Sequence, residues 1–130
     1  MYEYHVSKVL EVIDGDTIDV FIDLGFDIHL QKRVRLDGID TPESRTTDFH
    51  EKKFGLESKE WLKHKLDGAT KVVIKTKMPD SSEKYGRVLG TLWIGEETES
   101  VNDQLLKGGY AWSYGGGTKQ KNFDELLAKK

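Results

Sequence analysis

Cysteine is absent from this chain of 130 residues, and its absence excludes disulfide bonds and thiolate metal sites. Long apolar runs are absent as well. The longest, such as residues 72–74, extend over about three residues, which leaves no candidate for a membrane-spanning segment. We find no basic stretch followed by an apolar one at the start of this sequence, as a signal peptide would require. We therefore expect a cytoplasmic protein, or a secreted one whose signal was removed, with no membrane partner.

An excess of basic charge is also missing. The formal net charge is −3, so no overall positive field attracts nucleic acid. Acidic residues are concentrated early, because residues 1–50 carry 11 acidic and 5 basic side chains. With 36% hydrophobic and 33% charged residues, the composition is polar but typical of globular rather than disordered chains. The length suits one domain, and we expect residues 1–130 to form it.

Alternation of apolar and polar residues predicts strands in the first half of the chain. Residues 17–24 and 28–36 both show it, and the Asp-Gly pair at 14–15 favours a hairpin turn after a first strand over residues 6–13. Alternation places Arg35 on the polar face. The side chains expected to face the core are Ile18, Val20, Ile22, Leu24, Ile28, Leu30, Val34 and Leu36.

The second half reads as helices and further strands. The expected elements are a helix over 51–67 ended by Gly68, strands over 70–77 and 88–94, a short helix from Ser100 to Gly108, and an amphipathic piece over 121–130. This last piece buries at most Phe123, Leu126 and Leu127. Five strands and two or three short helices predict an α+β, mainly β fold: a five-stranded closed barrel of the OB type.

Residue spacing argues against several familiar sites. An EF-hand loop that starts at Asp14 needs glycine at its sixth position and glutamate at its twelfth, where this sequence has Asp19 and Gly25. The four histidines are scattered and lack the paired spacing of zinc ligands. Glycines 115–117 lack P-loop spacing, so we interpret them as a flexible turn, with phosphate contact by its N–H groups or by Lys119 as the less favoured alternative.

Oxygen ligands remain, and they suit a hard cation such as Ca²⁺ or Mg²⁺. Asp16 begins one predicted strand and Asp40 ends another, so their carboxylates converge if the strands are neighbours. Thr41 offers a backbone or hydroxyl oxygen beside them. Because two carboxylates are few for tight Ca²⁺ binding, we expect a weak site that water and a substrate phosphate complete.

Phosphate chemistry is the second indication. Arg35 and Arg87 carry planar, permanently charged donors that match phosphate oxygens. Glu43 follows Pro42, which restrains the backbone, and its carboxylate can orient or deprotonate a water. Each of these residues taken alone is also compatible with a solvated surface charge.

Three motifs taken together carry a family resemblance. DGDT at 14–17, RLDGIDTPE at 35–43 and EKYGR at 83–87 resemble, in order and spacing, the motifs of the staphylococcal nuclease (thermonuclease) family. The resemblance extends over about residues 10–109, and that family's OB-type barrel agrees with the predicted elements. It implies a Ca²⁺-dependent nuclease that hydrolyses the phosphodiester backbone of DNA or RNA with little sequence specificity and leaves 3′-phosphate ends.

The resemblance also implies roles for single residues. Asp16 and Asp40 are similar to the metal carboxylates, and Thr41 to the ligand that binds through its backbone carbonyl. Arg35 and Arg87 resemble the pair that holds the scissile phosphate, and Glu43 resembles the residue that activates or positions the attacking water. The remaining implied positions are Lys84, Tyr85 and Tyr114 for the nucleotide and Asp14 as a carboxylate supporting the metal ligands.

Departures from the family pattern leave alternatives open. Asp37 stands where the founding member has an apolar residue, and it could orient Arg35 or weaken the pull on phosphate. Trp112 could stack on a base like Tyr114 or belong to the core. With a net charge of −3 we expect weak general affinity for nucleic acid, offset locally by basic residues that include Arg87 and Lys121. The leading hypothesis is a monomeric nuclease for single-stranded or frayed DNA or RNA, and the alternative is a catalytically weak or inactive module that binds nucleic acid or a protein.

Overall fold

Strands form the first part of the chain, and helices separate the later ones. The computed structural model describes residues 2–77, 86–115, 117 and 121–130. The elements of these ranges are β1 (Tyr2–Asp14), β2 (Thr17–Asp23), β3 (His29–Leu36), β4 (Ile39–Asp40), α1 (Phe49–Asp67), β5 (Val72–Thr76), β6 (Val88–Ile94), α2 (Val101–Lys107), β7 (Trp112–Ser113) and α3 (Phe123–Ala128).

Five of these strands close a barrel in the order β1-β2-β3-β6-β5. Neighbours are antiparallel except β3 and β6, which run parallel with Val34 beside Val88. The predicted Asp-Gly hairpin joins β1 to β2, and Asp14 pairs with Thr17 across it. The expected α+β, mainly β fold with a five-stranded OB-type barrel and three helices is therefore confirmed.

The barrel interior is filled by the alternating side chains of its strands. Ile18 and Val20 of β2 and Val34 of β3 are fully buried, as predicted. Helix α1 contributes Leu62 and Leu66 to the same core, and α2 contributes Val101 and Leu105. Burial of a side chain of this size stabilises the fold by about 1.5–3 kcal/mol relative to leaving it exposed.

Three residues predicted to face the core are exposed instead: Leu24 at 43%, Ile28 at 55% and Leu30 at 42%. Leu30 lies in β3 as predicted, but Leu24 and Ile28 lie just outside β2 and β3, and the prediction that all three face the core was wrong. Within the described ranges, β6 pairs with β3 only at residues 34–36, so the β2–β3 hairpin continues past the closed part of the barrel. Alternation selects a face of a strand, while burial also requires an element opposite that face.

Helix α2 lies between the predicted Ser100 and Gly108, and α1 ends at the predicted Gly68 but begins at Phe49, two residues before its predicted start. Asp48 caps α1 by accepting hydrogen bonds from the N–H groups of His50 and Glu51, and Gly68 ends the helix. Ser100 caps α2 by accepting from Asp103 N–H, and Gly108 follows its last residue. In α3, Leu126 is fully buried, Phe123 is partly buried and Leu127 is exposed. None of the helices in the described ranges has the length and apolar character needed to cross a membrane.

The sequence did not predict the pairing of β4 with β7, in which Asp40 lies opposite Trp112. Trp112 is buried together with Phe54 of α1 and Leu126 of α3 in a second, smaller core. Its indole N–H donates to the Asn122 carbonyl at 2.8 Å. Trp112 is therefore a core residue. Leu126, in the C-terminal segment (residues 121–130), packs against Trp112 of β7, the strand that pairs with β4.

Candidate active site

The β1–β2 turn and the end of β3 bring the first two predicted site residues together. Thr17 pairs with Arg35 across the β2–β3 ladder, and Leu36 N–H donates to the Asp16 carbonyl at 2.8 Å. The Asp16 carboxylate accepts two further hydrogen bonds, from Thr17 Oγ1 at 2.8 Å and from Thr41 N–H at 3.0 Å. The turn that carries Asp16 is therefore attached to the segment after β4.

Arg35 lies between the two carboxylates predicted for metal. Its Nη1 is 3.3 Å from Asp16 Oδ2, and its Nη2 is 3.6 Å from Asp40 Oδ1. Nη1 also donates to the Leu36 carbonyl at 3.0 Å. All three side chains are at least nine-tenths buried. Arg35 is thus shared by two buried carboxylates, whose hard oxygens are the ligand type that a divalent cation prefers.

The oxygens of this cluster fit a weak divalent-cation site. Asp16 and Asp40 supply hard carboxylate ligands, and Thr41 Oγ1 is a buried hydroxyl that has no hydrogen-bond partner among the described residues. A buried polar atom left unpaired costs free energy, which a ligand recovers. No group of three or more histidine, aspartate or glutamate side chains is placed to hold a metal within the described ranges. A cation held by these oxygens would therefore need further ligands from outside this cluster.

The loop that carries Glu43 is held against helix α1. Glu43 is exposed, while its backbone N–H donates to Glu51 Oε2 at 3.0 Å. The next residue, Ser44, donates from its N–H and its hydroxyl to Asp14 Oδ1. A Cβ added at Gly55 would stand 2.3 Å from the Glu43 carbonyl oxygen. The absence of a side chain at Gly55 therefore lets this loop lie directly on the helix.

The same face of α1 also contacts the turn that carries Asp16. A Cβ added at Gly15 would stand 2.7 Å from Ser58 Cβ, and Ser58 Oγ donates to the Tyr110 carbonyl at 2.6 Å. Because Glu51, Gly55 and Ser58 are three or four residues apart, they share one side of the helix. One rigid helix thus positions both Glu43 and the turn that carries Asp16.

Two further predicted site residues, Arg87 and Tyr114, come from other parts of the chain. Arg87 immediately precedes Val88, the first residue of β6, which pairs with Val34 of the strand that carries Arg35. The Tyr114 ring centroid lies 6.0 Å from Arg35 Cζ, and its hydroxyl donates to the Gly117 carbonyl at 2.9 Å. Lys84 and Tyr85 lie outside the described residues.

Two charged residues near the site have partners that the sequence did not predict. Asp37 lies 3.8 Å from Lys77 Nζ, so its recorded ion pair is with that lysine rather than with Arg35. Lys121 donates to both Glu51 carboxylate oxygens, at 3.1 and 2.9 Å. This hydrogen bond raises the pKa of Lys121, and the charges of Glu51, Glu43 and Asp40 add to the effect. The Lys121 ammonium group is thus paired with the Glu51 carboxylate.

Comparison with known proteins assigns this arrangement to a family. Residues 33–130 match the family described as "Staphylococcal nuclease homologue". The chain belongs to this family. The thermonuclease of Staphylococcus hyicus is 35% identical over 104 residues, which cover 80% of this chain and 56% of that protein. Protein ParB of Escherichia coli is 33% identical over 115 residues, covering 83% and 56%. An uncharacterized endonuclease of Escherichia coli is 31% identical over 121 residues, covering 93% and 66%.

This chain spans about half the length of two of these relatives, 56% of ParB and 56% of the Staphylococcus hyicus thermonuclease. The family match begins at Arg33 and so includes the RLDGIDTPE segment and EKYGR. The DGDT turn precedes the matched range, and the β2–β3 pairing joins it to that range.

The structure also reveals site residues that sequence reasoning missed. Buried Glu51 accepts the Glu43 N–H and was not predicted, while Lys121, predicted only as a basic residue that favours nucleic-acid binding, donates to Glu51. Asn102 of α2 accepts from Leu92 N–H at 3.1 Å and donates to the Asp37 carbonyl at 2.8 Å. Asn102 therefore ties the turn between β3 and β4 to the barrel. The sequence identified Asn102 only as a polar residue within a predicted short helix.

Proposed function

We propose that this staphylococcal nuclease homologue is a Ca²⁺-dependent nuclease that hydrolyses phosphodiester bonds of DNA, RNA or both with little sequence specificity. The observation that supports this most is the buried cluster in which Arg35 lies 3.3 Å from Asp16 and 3.6 Å from Asp40. Phosphodiester hydrolysis can use a guanidinium that donates hydrogen bonds to the phosphate beside a pair of carboxylates that bind a metal ion. The carboxylates of Asp16 and Asp40 supply the oxygen ligands that Ca²⁺ prefers, which supports binding of a cation.

In this mechanism, water attacks phosphorus, the bond to the 5′ oxygen breaks, and that oxygen takes a proton, so that a 3′-phosphate and a 5′-hydroxyl remain. Arg35 and Arg87 bind the equatorial phosphate oxygens, where negative charge increases during attack. Glu43 orients the attacking water or accepts its proton. Asp16, Asp40 and Thr41 would hold Ca²⁺, which would supply positive charge to stabilise the phosphate during attack.

We propose a single-stranded or frayed substrate because an aromatic group lies near the cluster. The Tyr114 ring lies 6.0 Å from the Arg35 guanidinium, within reach of a base whose phosphate Arg35 binds. Stacking on an aromatic side chain requires a base that is free of its own stack, as in single strands. Lys84 and Tyr85 are proposed as further nucleotide contacts on the strength of the family motif alone. The proposed active species is a monomer.

The test is digestion of heat-denatured DNA and of RNA with Ca²⁺, with Mg²⁺ and with chelator. Wild-type protein is expected to degrade the substrate with Ca²⁺ and to leave ends that accept a 5′ label but are not extended from the 3′ side. Arg35→Ala and Glu43→Ala are expected to lose about 10²–10³ in rate while still binding the substrate. The matched control is Arg33→Ala, since Arg33 lies on the same strand but pairs with Asp19 on the surface.

Two results would contradict the proposal. Equal degradation by wild type and both active-site variants would reveal a contaminating nuclease. Binding of denatured DNA by the wild type without any degradation would favour an inactive binding module. That alternative predicts, in addition, that Arg35→Ala reduces binding and has no other measurable effect.

A further inference from the structure

The carboxylate of Glu51 has an unusual position for a residue in the first turn of a helix. It is 94% buried, since only 6% of the residue is exposed, yet the proposed chemistry does not use it. Its Oε2 accepts the backbone N–H of Glu43 at 3.0 Å. A buried carboxylate is stable only when it is paired and hydrogen-bonded. Glu51 therefore needs partners, and one of them is the backbone of the proposed water-positioning residue.

The second partner comes from the far end of the chain. Lys121, two residues before α3, places Nζ 3.1 Å from Glu51 Oε1 and 2.9 Å from Oε2. The backbone near it is also fixed, because the neighbouring Asn122 carbonyl accepts the Trp112 indole N–H at 2.8 Å. Leu126 of α3 packs with Trp112 in the smaller core. Lys121 is thus held in place from the side of α3.

These contacts form a continuous connection from α3 through Lys121 and Glu51 to the backbone of Glu43. Glu43 itself is exposed, so its side chain contributes little to fixing its own position. At Gly55 the backbone of helix α1 contacts the Glu43 carbonyl directly, so the loop cannot move closer to the helix. The connection through Glu51 then sets the orientation of the peptide that carries the Glu43 side chain.

We propose that Glu51 and Lys121 are positioning residues for Glu43, so that docking of the C-terminal segment determines how well Glu43 orients the attacking water. This inference rests on the proposed nuclease function for its kinetic consequence. Loss of Lys121 leaves the Glu51 carboxylate buried without its cation, which draws water or reorients the side chain. The Glu43 loop then loses its hydrogen bond to α1. A displacement of about 1 Å in a reacting group lowers the rate by up to about 10²-fold.

The chain contains a matched control pair. Glu57 also lies on α1, and its Oε2 is 2.5 Å from Nζ of Lys130 at the other end of the C-terminal segment. This pair joins the same two parts of the chain without touching Glu43. Lys130→Met and Glu57→Ala therefore remove an equivalent tether and are expected to leave hydrolysis unchanged.

The experiment compares Lys121→Met, Glu51→Gln and Glu51→Ala with these controls. One readout is kcat and KM on heat-denatured DNA with Ca²⁺, and the other is amide hydrogen exchange at Glu43 in the Ca²⁺-free protein. Lys121→Met and Glu51→Ala are expected to lower kcat by about 10- to 10²-fold with little change in KM, and to speed exchange at Glu43. Glu51→Gln keeps an acceptor for the Glu43 N–H, so it is expected to retain more kcat than Glu51→Ala.

Several outcomes would overturn the inference. Unchanged kcat in both Lys121→Met and Glu51→Ala would do so, as would unchanged exchange at Glu43 in Glu51→Ala. Equal losses in Lys121→Met and Lys130→Met would show only a general effect of the C-terminal segment. If the wild type hydrolyses nothing, the proposed function fails, while exchange at Glu43 still decides whether Glu51 and Lys121 hold its backbone. If Glu51→Ala does not fold, the isosteric Glu51→Gln gives the comparison.

Discussion

Gly55 lies directly beneath Glu43: a Cβ added at Gly55 would stand 2.3 Å from the Glu43 carbonyl oxygen and 2.4 Å from its carbonyl carbon. Both atoms belong to backbone and cannot turn aside as a side chain can. We therefore expect Gly55→Ala to push the Glu43 loop off α1 and to lower nuclease activity. The overlap is expected to cost about 1–3 kcal/mol, against a gain of about 1 kcal/mol in helix propensity.

The control is Gly68→Ala. Gly68 follows the same helix with a negative φ of −87°, and a Cβ added there meets no atom within 4 Å. This variant is expected to keep wild-type activity and a nearly unchanged free energy of unfolding. Urea denaturation and initial hydrolysis rates check both variants. Full activity in Gly55→Ala would show that the loop can leave the helix without consequence.

Arg35→Lys tests whether the shape of the guanidinium matters as well as its charge. Arg35 reaches Asp16, Asp40 and the Leu36 carbonyl at the same time, and a single ammonium group cannot reproduce that fork. We expect the variant to remain folded, since the buried charge is kept, but to lose about 10²–10³ in kcat. Arg33→Lys, on the exposed face of the same strand, should hydrolyse normally. Similar rates for the two variants would argue against a bidentate role for Arg35.

Local sequence signals predicted the cluster of Asp16, Arg35 and Asp40. The Asp-Gly hairpin and the alternation in β2 and β3 act over neighbouring residues, and they place Asp16 beside Arg35 once the strands pair. The ends of the predicted strands indicated that Asp40 converges with Asp16, and the family resemblance then placed Arg35 in the same site. The ion pairs of the structure agree with that convergence.

The supporting contacts could not be predicted from the same signals. Glu51 and Lys121 are 70 positions apart, and β4 pairs with β7 through two residues each. Neither contact has a periodic pattern, because each depends on how whole elements pack. Exposure of Leu24, Ile28 and Leu30 has the same origin. Alternation identifies a face of a strand, whereas the tertiary fold decides what covers that face.

Asn102→Asp tests a buried polar link between α2 and the barrel. The Asn102 amide donates to the Asp37 and Gly90 carbonyls at 2.8 and 3.3 Å. An aspartate would place a carboxylate oxygen against these two acceptors, and each buried group left unsatisfied costs about 1–3 kcal/mol. We expect a clear fall in the urea midpoint. Asp103→Asn, the exposed neighbour on the same helix, should differ little from wild type, and equal midpoints for the two variants would contradict the link.

The acid dependence of stability should report on the pair of Asp19 and Arg33. The hydrogen bond from Arg33 lowers the pKa of Asp19 from its ordinary value of 3.8. A depressed pKa in the folded state stabilises the protein above about pH 3.8, and that contribution is lost as the pH falls through the lowered pKa. Arg33→Gln is therefore expected to be less stable than wild type near neutral pH, with the difference shrinking in acid. Since the Arg33 side chain is 50% exposed and that of Asp19 is 21% exposed, solvent screens the pair in part, so the difference should be small and should weaken with salt. Urea titrations at pH 2 to 7 check this, and a difference that stays constant down to pH 2 would contradict it.

For two threonine hydroxyls near the site we predict opposite effects of removal on the stability of the metal-free protein. Thr17 Oγ1 donates to Asp16 at 2.8 Å, whereas Thr41 Oγ1 is buried without a hydrogen-bond partner among the described residues. Valine matches the shape of threonine without the hydroxyl. Thr17→Val should therefore lower the free energy of unfolding by about 1 kcal/mol, while Thr41→Val should leave it unchanged or raise it.

Ca²⁺ should reverse the order for Thr41. A ligand that binds only the folded state raises its stability by an amount that depends on the dissociation constant. If the Thr41 hydroxyl completes the cation site, the rise in thermal midpoint with added Ca²⁺ will be smaller in Thr41→Val than in wild type. An equal rise would assign the contribution of Thr41 to its backbone carbonyl, which valine retains. A loss of stability in metal-free Thr41→Val would show instead that the hydroxyl has a structural partner, and calorimetry with and without Ca²⁺ separates these three results.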